Sequence, residues 1–516
     1  MRNFFVALFR FAVNKRLLFI GPLGIGLLII SLKQMPLVGK DLMPPMDTGI
    51  VKISFETEPN SSIQHTEEVV NRMEEIIKNT AGFLSMATTV GSEPGVISFG
   101  AERTPQQGLI TVHFVDRFHR KKNIWQIEDE LRSKFNKIPG INYVHVYDFG
   151  ATPLSTISAP IDVMIAGPDP KILNAIADKL VKRLYKVRGL KSISKSWSFS
   201  KREIHIRLNL EKIARYGLSP KQISSYVMQA FSGDKASILR VPGEDGYTIR
   251  PRFKRAYRDE IEDLVTLNIK TSKGEVPLNE FASFKTNITR TNFTRQYLSP
   301  VIDILGFRST TAITHLQEQV NKIIKGIKLP AGYRIYQEGE IKHMKESFTR
   351  LKKSLIFALV LLYFSMVPTF KSFVHPITIM VAIPLALIGA VWGLLITGRH
   401  FCMPASMGMI LLSGVVVNNS ILLIDFIKNE MEQGKSRNEA IESAIKIRVR
   451  PIIMTALGTI TGMLPIAAER ALGLERLSPL AVVAIGGLFV STLLTLLYVP
   501  LFFTLVEDIK RKIKSS

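Results

Sequence analysis

The side chains that could do chemistry gather in the last third of the chain. Two adjacent amides, Asn418 and Asn419, interrupt the apolar run from Met403 to Ile427 within the stretch GVVVNNSILLIDF. Polar groups in such a run are costly to place in hydrocarbon and usually serve a function. An amide can hydrogen-bond a carboxylate, but it does not titrate between pH 5 and 8. Asp425 is the one acid inside the apolar runs and follows Asn418 by two helical turns, on the same face. Two readings are open for it: a proton-exit group, or an interfacial acid paired with Lys428. Arg448 and Thr455 share a helical face around the start of the next apolar run. Gly458 and Gly462 form a GxxxG pair, the spacing that lets two membrane helices approach closely.

Other chemistries find little support. The single cysteine, Cys402, excludes an internal disulfide and a cysteine-based metal cage, and the nine histidines are scattered without ligand spacing. No cofactor and no resident metal is therefore expected. A net charge of +24 could suggest nucleic acid, yet no lysine-arginine tract with interleaved aromatics is present, and no nucleic-acid partner is expected.

The elements that must position these residues follow from hydropathy. The 516 residues have a mean hydropathy of only +0.18 with 21% charged, which implies a membrane part joined to a soluble part. Most of the long apolar runs approach the roughly 20 residues a bilayer core requires. They predict a cytoplasmic amphipathic start over 1–16 and six membrane helices over 17–33, 354–370, 373–397, 403–427, 451–468 and 480–506. A connection over 428–450 and a tail over 507–516 complete the membrane part. The first run has no small-residue cleavage site after it and reads as a retained anchor. Basic residues crowd the first sixteen positions, the 428–450 connection and the tail. The positive-inside rule then places both termini in the cytoplasm and the long segment 34–345 outside.

That outer segment alternates strand and helix periods. VKISFE and LITVHFV alternate apolar and polar residues, and Val69, Val70, Met73, Ile76 and Ile77 between them recur at helical spacing. A similar unit begins again at IDVMIAG and continues into REIHIRLN. The fold class is therefore an α+β integral membrane protein. Its outer domain is expected to hold ferredoxin-like βαβ subdomains over about 48–148 and over about 158–205 with 276–335, and an insert over about 206–275.

The sequence resembles the C-terminal half of a resistance-nodulation-division (RND) efflux permease, of the hydrophobe and amphiphile multidrug type. KDLMPPMDTGIVKISFETEPNSS, APIDVMIAGPD, LNLEKIARYGLSPKQI, GEVPLNEFA and LPAGYRIYQEGE match the outer domain in order. IPLALIGAVWGLLITG, GVVVNNSILLIDF, RVRPIIMTALGTITGMLPIA and GGLFVSTLLTLLYVPLFF match the membrane helices. The resemblance implies a trimeric inner-membrane pump whose protomers each have two such halves, driven by proton flow, with the two outer βαβ units as pore subdomains and the insert over about 206–275 as a docking insert. It would work with a periplasmic adaptor and an outer-membrane channel, amid membrane lipids.

It also implies that the other half carries an aspartate pair at the repeat-equivalent of Asn418 and Asn419, that the amides face that pair, and that Arg448 and Thr455 lie on the proton path. Other readings stay open: plain interhelix hydrogen bonds for the amides, a bond to its own backbone for Thr455, and for Arg448 the basic residue expected at a cytoplasmic helix entry. Many C-terminal halves of the family have a lysine where this chain has Asn418. With its own Met1 and an end shortly after the sixth helix, the chain reads as one half that needs an acid-bearing partner. Met43, Met46, Met73, Met86, Met164 and Met228 are dispersed and read as packing residues, so organic amphiphilic cargo is expected. The alternatives are a heavy-metal ion exporter and a non-pumping assembly or protein-translocation accessory on the same fold.

Overall fold

The computed structural model describes residues 2–14, 24–91, 104–150, 158–243, 246–296, 298–308 and 310–515. The chain starts with helices α1 (Arg2–Asn14) and α2 (Gly26–Val38). Then comes a first α/β subdomain: β1 (Ile50–Thr57), α3 (Ile63–Lys78), β2 (Phe83–Val90), β3 (Gln107–Phe114), α4 (Ile124–Phe135) and β4 (Ile141–Asp148). Its antiparallel sheet has the order β2-β3-β1-β4. Alternation in β1 sends Val51, Ile53 and Phe55 to one face, where they are fully buried with Val69, Met73 and Ile77 of α3 and Leu131 and Phe135 of α4. Both helices have defined starts. The Ser62 side chain accepts from the His65 amide, and Asn123 and Gln126 form a capping box.

The second subdomain contains β5 (Ile161–Ala166), α5 (Pro170–Leu184) and β6 (Leu190–Lys195) before an insertion. Between Ser198 and Asn292 the chain forms a separate compact unit. Within it, β7 (Phe199–Leu208) pairs antiparallel with β12 (Ala282–Arg290). The unit also holds α6 (Leu210–Arg215), α7 (Pro220–Phe231), the hairpin β8 (Ser237–Leu239) and β9 (Tyr247–Ile249), α8 (Ile261–Val265), and the pair β10 (Asn268–Thr271) and β11 (Gly274–Pro277). Its core is built on Ile213, Ile223, Leu278 and Phe281. The insert expected at about 206–275 lies inside this unit. REIHIRLN is a strand, β7, but its partner is β12. Its alternating Ile204, Ile206 and Leu208 pack on the insert's own core.

The second subdomain resumes with β13 (Arg295–Gln296), β14 (Ser299–Arg308), α9 (Ile313–Lys325) and β15 (Arg334–Glu338). Its sheet runs β6-β14-β5-β15, the same strand order as the first sheet, with the inserted unit occupying the β6 to β14 connection. The two subdomains meet along β4 and β6. There His145 Nε2 lies 2.8 Å from Ser194 Oγ, and Tyr147 stacks on Phe307 with ring centroids 4.6 Å apart.

The membrane part follows as α10 (Gly339–Phe370), α11 (His375–Met380), α12 (Ala382–Thr397), α13 (Met403–Glu432), α14 (Arg437–Ala467) and α15 (Ser478–Ser515). Counting α11 and α12 as one span, five helices among the described residues are long and apolar enough to cross a membrane. The expected first span, 17–33, lies partly outside the described residues; the rest of it falls in the segment that continues as α2 to Val38. The expected connection 428–450 is helical except at a turn around Gly434, after which Ser436 and Glu439 form a capping box for α14. Of the prolines in the apolar runs, Pro465 and Pro500 lie inside helices and Pro384 in the first turn of α12.

Helices α12 and α15 pack backbone to backbone. A Cβ on Gly389 would overlap the Gly486 carbonyl, and one on Gly393 would lie 3.1 Å from the Val482 carbonyl. At one end of the bundle, Arg10 of α1 makes paired 2.6 Å hydrogen bonds to Glu442 of α14, and Arg437 of α14 pairs with Asp508 of α15. The amphipathic start, the turn before α14 and the late part of α15 therefore share one end.

Candidate functional site in the membrane helices

Successive residues on an α-helix are turned by about 100°. The two amides of α13 consequently point apart: Asn419 is buried within the bundle at 8% exposure, whereas Asn418 is exposed. Asp425 is exposed on the same side as Asn418 and accepts a long hydrogen bond, 3.5 Å, from Asn429 Nδ2. The alternative pairing with Lys428 is not formed. Lys428 Nζ instead donates to the Phe370 carbonyl at 3.2 Å and lies over that residue's ring.

On α14 the Thr455 hydroxyl donates to the Ile452 carbonyl of its own helix at 2.9 Å and is exposed. Gly458 and Gly462 are also exposed, and a Cβ added to either meets nothing within 4 Å. The GxxxG spacing thus makes no close helix contact within this chain. The close approach belongs to Gly389 and Gly393 of GAVWG, a GxxxG pair that the sequence reading passed over although its signal was the same.

Arg448 comes nearest to linking the two helices. Its guanidinium lies 5.2 Å from the ring centroid of Phe426, next in sequence to Asp425, and its Nε is buried without a hydrogen-bond partner. The candidates therefore fall into three settings. Asn419 lies in the bundle interior, Arg448 sits against Phe426, and Asn418, Asp425, Thr455, Gly458 and Gly462 are exposed on this chain. Of the methionines, Met73 and Met164 are fully buried, Met86 packs on the first core, and Met228 is exposed. Among the described residues no group of three or more His, Cys, Asp or Glu is placed to hold a metal ion.

Sequence reasoning missed the charged groups that join the membrane helices to the subdomains. Asp41 and Glu340 are buried, at 0% and 1% exposure, and Arg308 lies between them at 3.1 and 3.0 Å. His400 Nδ1 donates to Asp41 Oδ2 at 2.6 Å. Burial alone would raise the Asp41 carboxyl, but Arg308 and the His400 hydrogen bond outweigh it and hold it below the usual carboxylate range. Nearby, Glu469 pairs with both Arg117 and Arg399. The available signal was a set of charges at the edges of apolar runs, and nothing local told which would pair.

Comparison with known proteins sets these helices in context. The family model described as "AcrB/AcrD/AcrF family" matches residues 2–507. The cobalt-zinc-cadmium resistance protein CzcA of Cupriavidus metallidurans is 27% identical over 91% of this chain and 45% of its own length. The nickel and cobalt resistance protein CnrA of the same organism is 26% identical over 95% and 46%. The swarming motility protein SwrC of Bacillus subtilis is 24% identical over the same two shares. A crystal structure titled as a heavy metal efflux pump superposes with a TM-score of 0.83 at 21% identity, covering 94% of this chain and 49% of that one, so the fold is shared. The chain thus spans about half the length of the curated relatives it matches. The resistance relatives named for a cargo are named for metals, which overturns the expectation of organic amphiphilic cargo and of a multidrug role. Methionine dispersal was a poor guide, because it speaks only against thioether-rich sites. Matched from end to nearly end by one family model, the chain belongs to the AcrB/AcrD/AcrF family of RND permeases.

Proposed function

We propose that this chain is a C-terminal-type half of a proton-driven exporter of heavy-metal cations. One observation carries the cargo assignment: relatives named for resistance to cobalt, zinc, cadmium and nickel align with more than nine-tenths of the chain. In this reading both termini are cytoplasmic, the two α/β subdomains and the inserted unit are periplasmic, and the assembly is trimeric with an adaptor and an outer-membrane channel. Proton coupling needs a buried group whose charge changes between the two sides, and an amide cannot provide it. The titrating acids are therefore assigned to a sister half. The exposed set of Asn418, Thr455, Gly458 and Gly462 supports this by offering that half hydrogen-bonding groups and glycines with open space beside them. Asp425 and Arg448, beside Phe426, are assigned to the cytoplasmic end of the proton path.

The test uses everted membrane vesicles from cells making this chain together with an acid-bearing half. Uptake of labelled zinc or cobalt should follow an imposed proton gradient and stop with a protonophore. Asn418→Leu should lower it roughly tenfold, since a membrane hydrogen bond contributes about 1–2 kcal/mol. Gradient-driven uptake of a lipophilic dye without any metal uptake would overturn the cargo assignment.

A further inference from the structure

Helices α12 and α13 are joined by five residues, Gly398 to Cys402, and this short loop is linked to both α/β subdomains, each through one intervening carboxylate. Gly398 takes a left-handed conformation (φ 66°) that ends α12 and turns the chain. Arg399 then pairs with Glu469 in the connection between α14 and α15. That same Glu469 is held by Arg117, from the β3 to α4 connection of the first subdomain, at 3.1 Å. Arg117 also lies 2.9 Å from Glu475.

The next residue, His400, donates to Asp41, whose other oxygen accepts from the Ile313 amide at the start of α9 at 2.7 Å. Arg308, the last residue of β14, joins Asp41 to Glu340 in the first turn of α10, and Glu340 accepts from the Leu42 amide at 2.9 Å. Phe401 completes the loop. Its amide donates to the Gly39 carbonyl at 3.0 Å, its carbonyl accepts from the Asp41 amide at 3.1 Å, and its ring stacks on Phe348 of α10.

We infer that the loop Gly398–Cys402 is the transmission joint of the exporter: Arg399 ties α12 and α13 to the first subdomain through Glu469 and Arg117, and His400 ties them to the second through Asp41, Arg308 and Glu340. The inference rests on the reading of the chain as part of a proton-driven exporter and assigns Arg399 and His400 as positioning residues within it. The physical reason is the sharing of partners together with burial on one side: Asp41, Arg308 and Glu340 are buried, and Arg399, Glu469 and Arg117 form a half-buried set in which one carboxylate holds two guanidiniums. A low-dielectric network satisfied on several sides is costly to leave half-made. A displacement of α12 and α13 is then delivered to β14, α9 and α10 on one side and to the β3 to α4 connection on the other. Because the two ties start from adjacent residues, one movement of the loop reaches both subdomains together.

The experiment uses the full chain with its acid-bearing half in vesicles, with spin labels at Glu67→Cys on α3 and Lys182→Cys on α5. Both positions are exposed, while the native Cys402 is buried. With native Arg399 and His400, an imposed proton gradient should change the distance between the labels and drive zinc uptake. Arg399→Gln and His400→Ala should each abolish the distance change and lower uptake by roughly tenfold, a size usual for lost coupling. His400→Asn places an amide donor where Nδ1 stood and should restore both. A merely structural role predicts instead that the gradient-driven distance change survives in every variant that folds. That result would overturn the inference and leave the export reading standing. If the labels do not move even with the native loop, the inference also falls, and zinc uptake in the same vesicles decides whether the export reading falls with it.

Discussion

Asp162 stands on the central strand of the second sheet, with Asp303 and Glu338 on the strands to either side. Burial, followed by the charges of Asp303 and Glu338, pushes its carboxyl up to about 7. Asp303 is pushed up to about 6, chiefly by burial, with a Ser196 hydrogen bond opposing. Folded values above the unfolded ones mean that the folded state binds the extra protons. Their contribution to stability is complete below about pH 4 and is lost as pH rises through about 7. Asp162→Asn should remove much of that loss, worth on the order of a few kcal/mol. Thermal unfolding of the purified chain at pH 4.5 and 7.5 checks this: the native protein should lose more stability between the two than the variant, and equal losses would refute the assignment. At this scale the sequence was legible where a residue was out of place in its own neighbourhood, as Asn418 was in an apolar run. It was silent on Asp41 and Arg308, which become partners only when segments far apart in sequence meet.

Two glycine pairs with the same spacing behave differently in the helices. Gly389 and Gly393 bring α12 onto α15, whereas Gly458 and Gly462 open onto space around α14. Gly389→Val should therefore destabilise the chain by about 1–3 kcal/mol or more through overpacking, seen as a lower unfolding temperature. Gly458→Val should leave that temperature unchanged and reduce co-purification of the acid-bearing half; retention of the half at native levels would remove Gly458 from the contact. The expected strand segments, Val51 to Phe55 and Ile161 to Ile165, are strands: the first alternates because one face is buried, whereas the second is a nearly continuous apolar run because β5, central in its sheet, is buried on both faces. Alternation does not report which sheet does the burying. That is why β7, whose Ile204, Ile206 and Leu208 fit either sheet by pattern, could not be assigned to the inserted unit from sequence.

For the molecule as a whole, the proposed orientation puts the basic residues of the start, the 428–450 connection and the tail on one membrane side. The Arg10 to Glu442 and Arg437 to Asp508 pairs support this by gathering α1, the beginning of α14 and the late part of α15 at one end. A reporter active only in the cytoplasm should work when fused after Ser516 and fail when placed at Gly274 in the inserted unit; the reverse pattern would invert the orientation. The inserted unit has a consequence of another kind. It leaves and rejoins the second subdomain through paired strands, with the Thr291 amide donating to the Ser198 carbonyl at 2.9 Å. The interrupted sheet thus sees what a β-hairpin would present, two chain ends already side by side. Closing a loop costs only slightly more as the loop lengthens. A module attached in this way can be lengthened or replaced with little entropic cost to its host sheet, whose pairing never depends on what lies between the two ends.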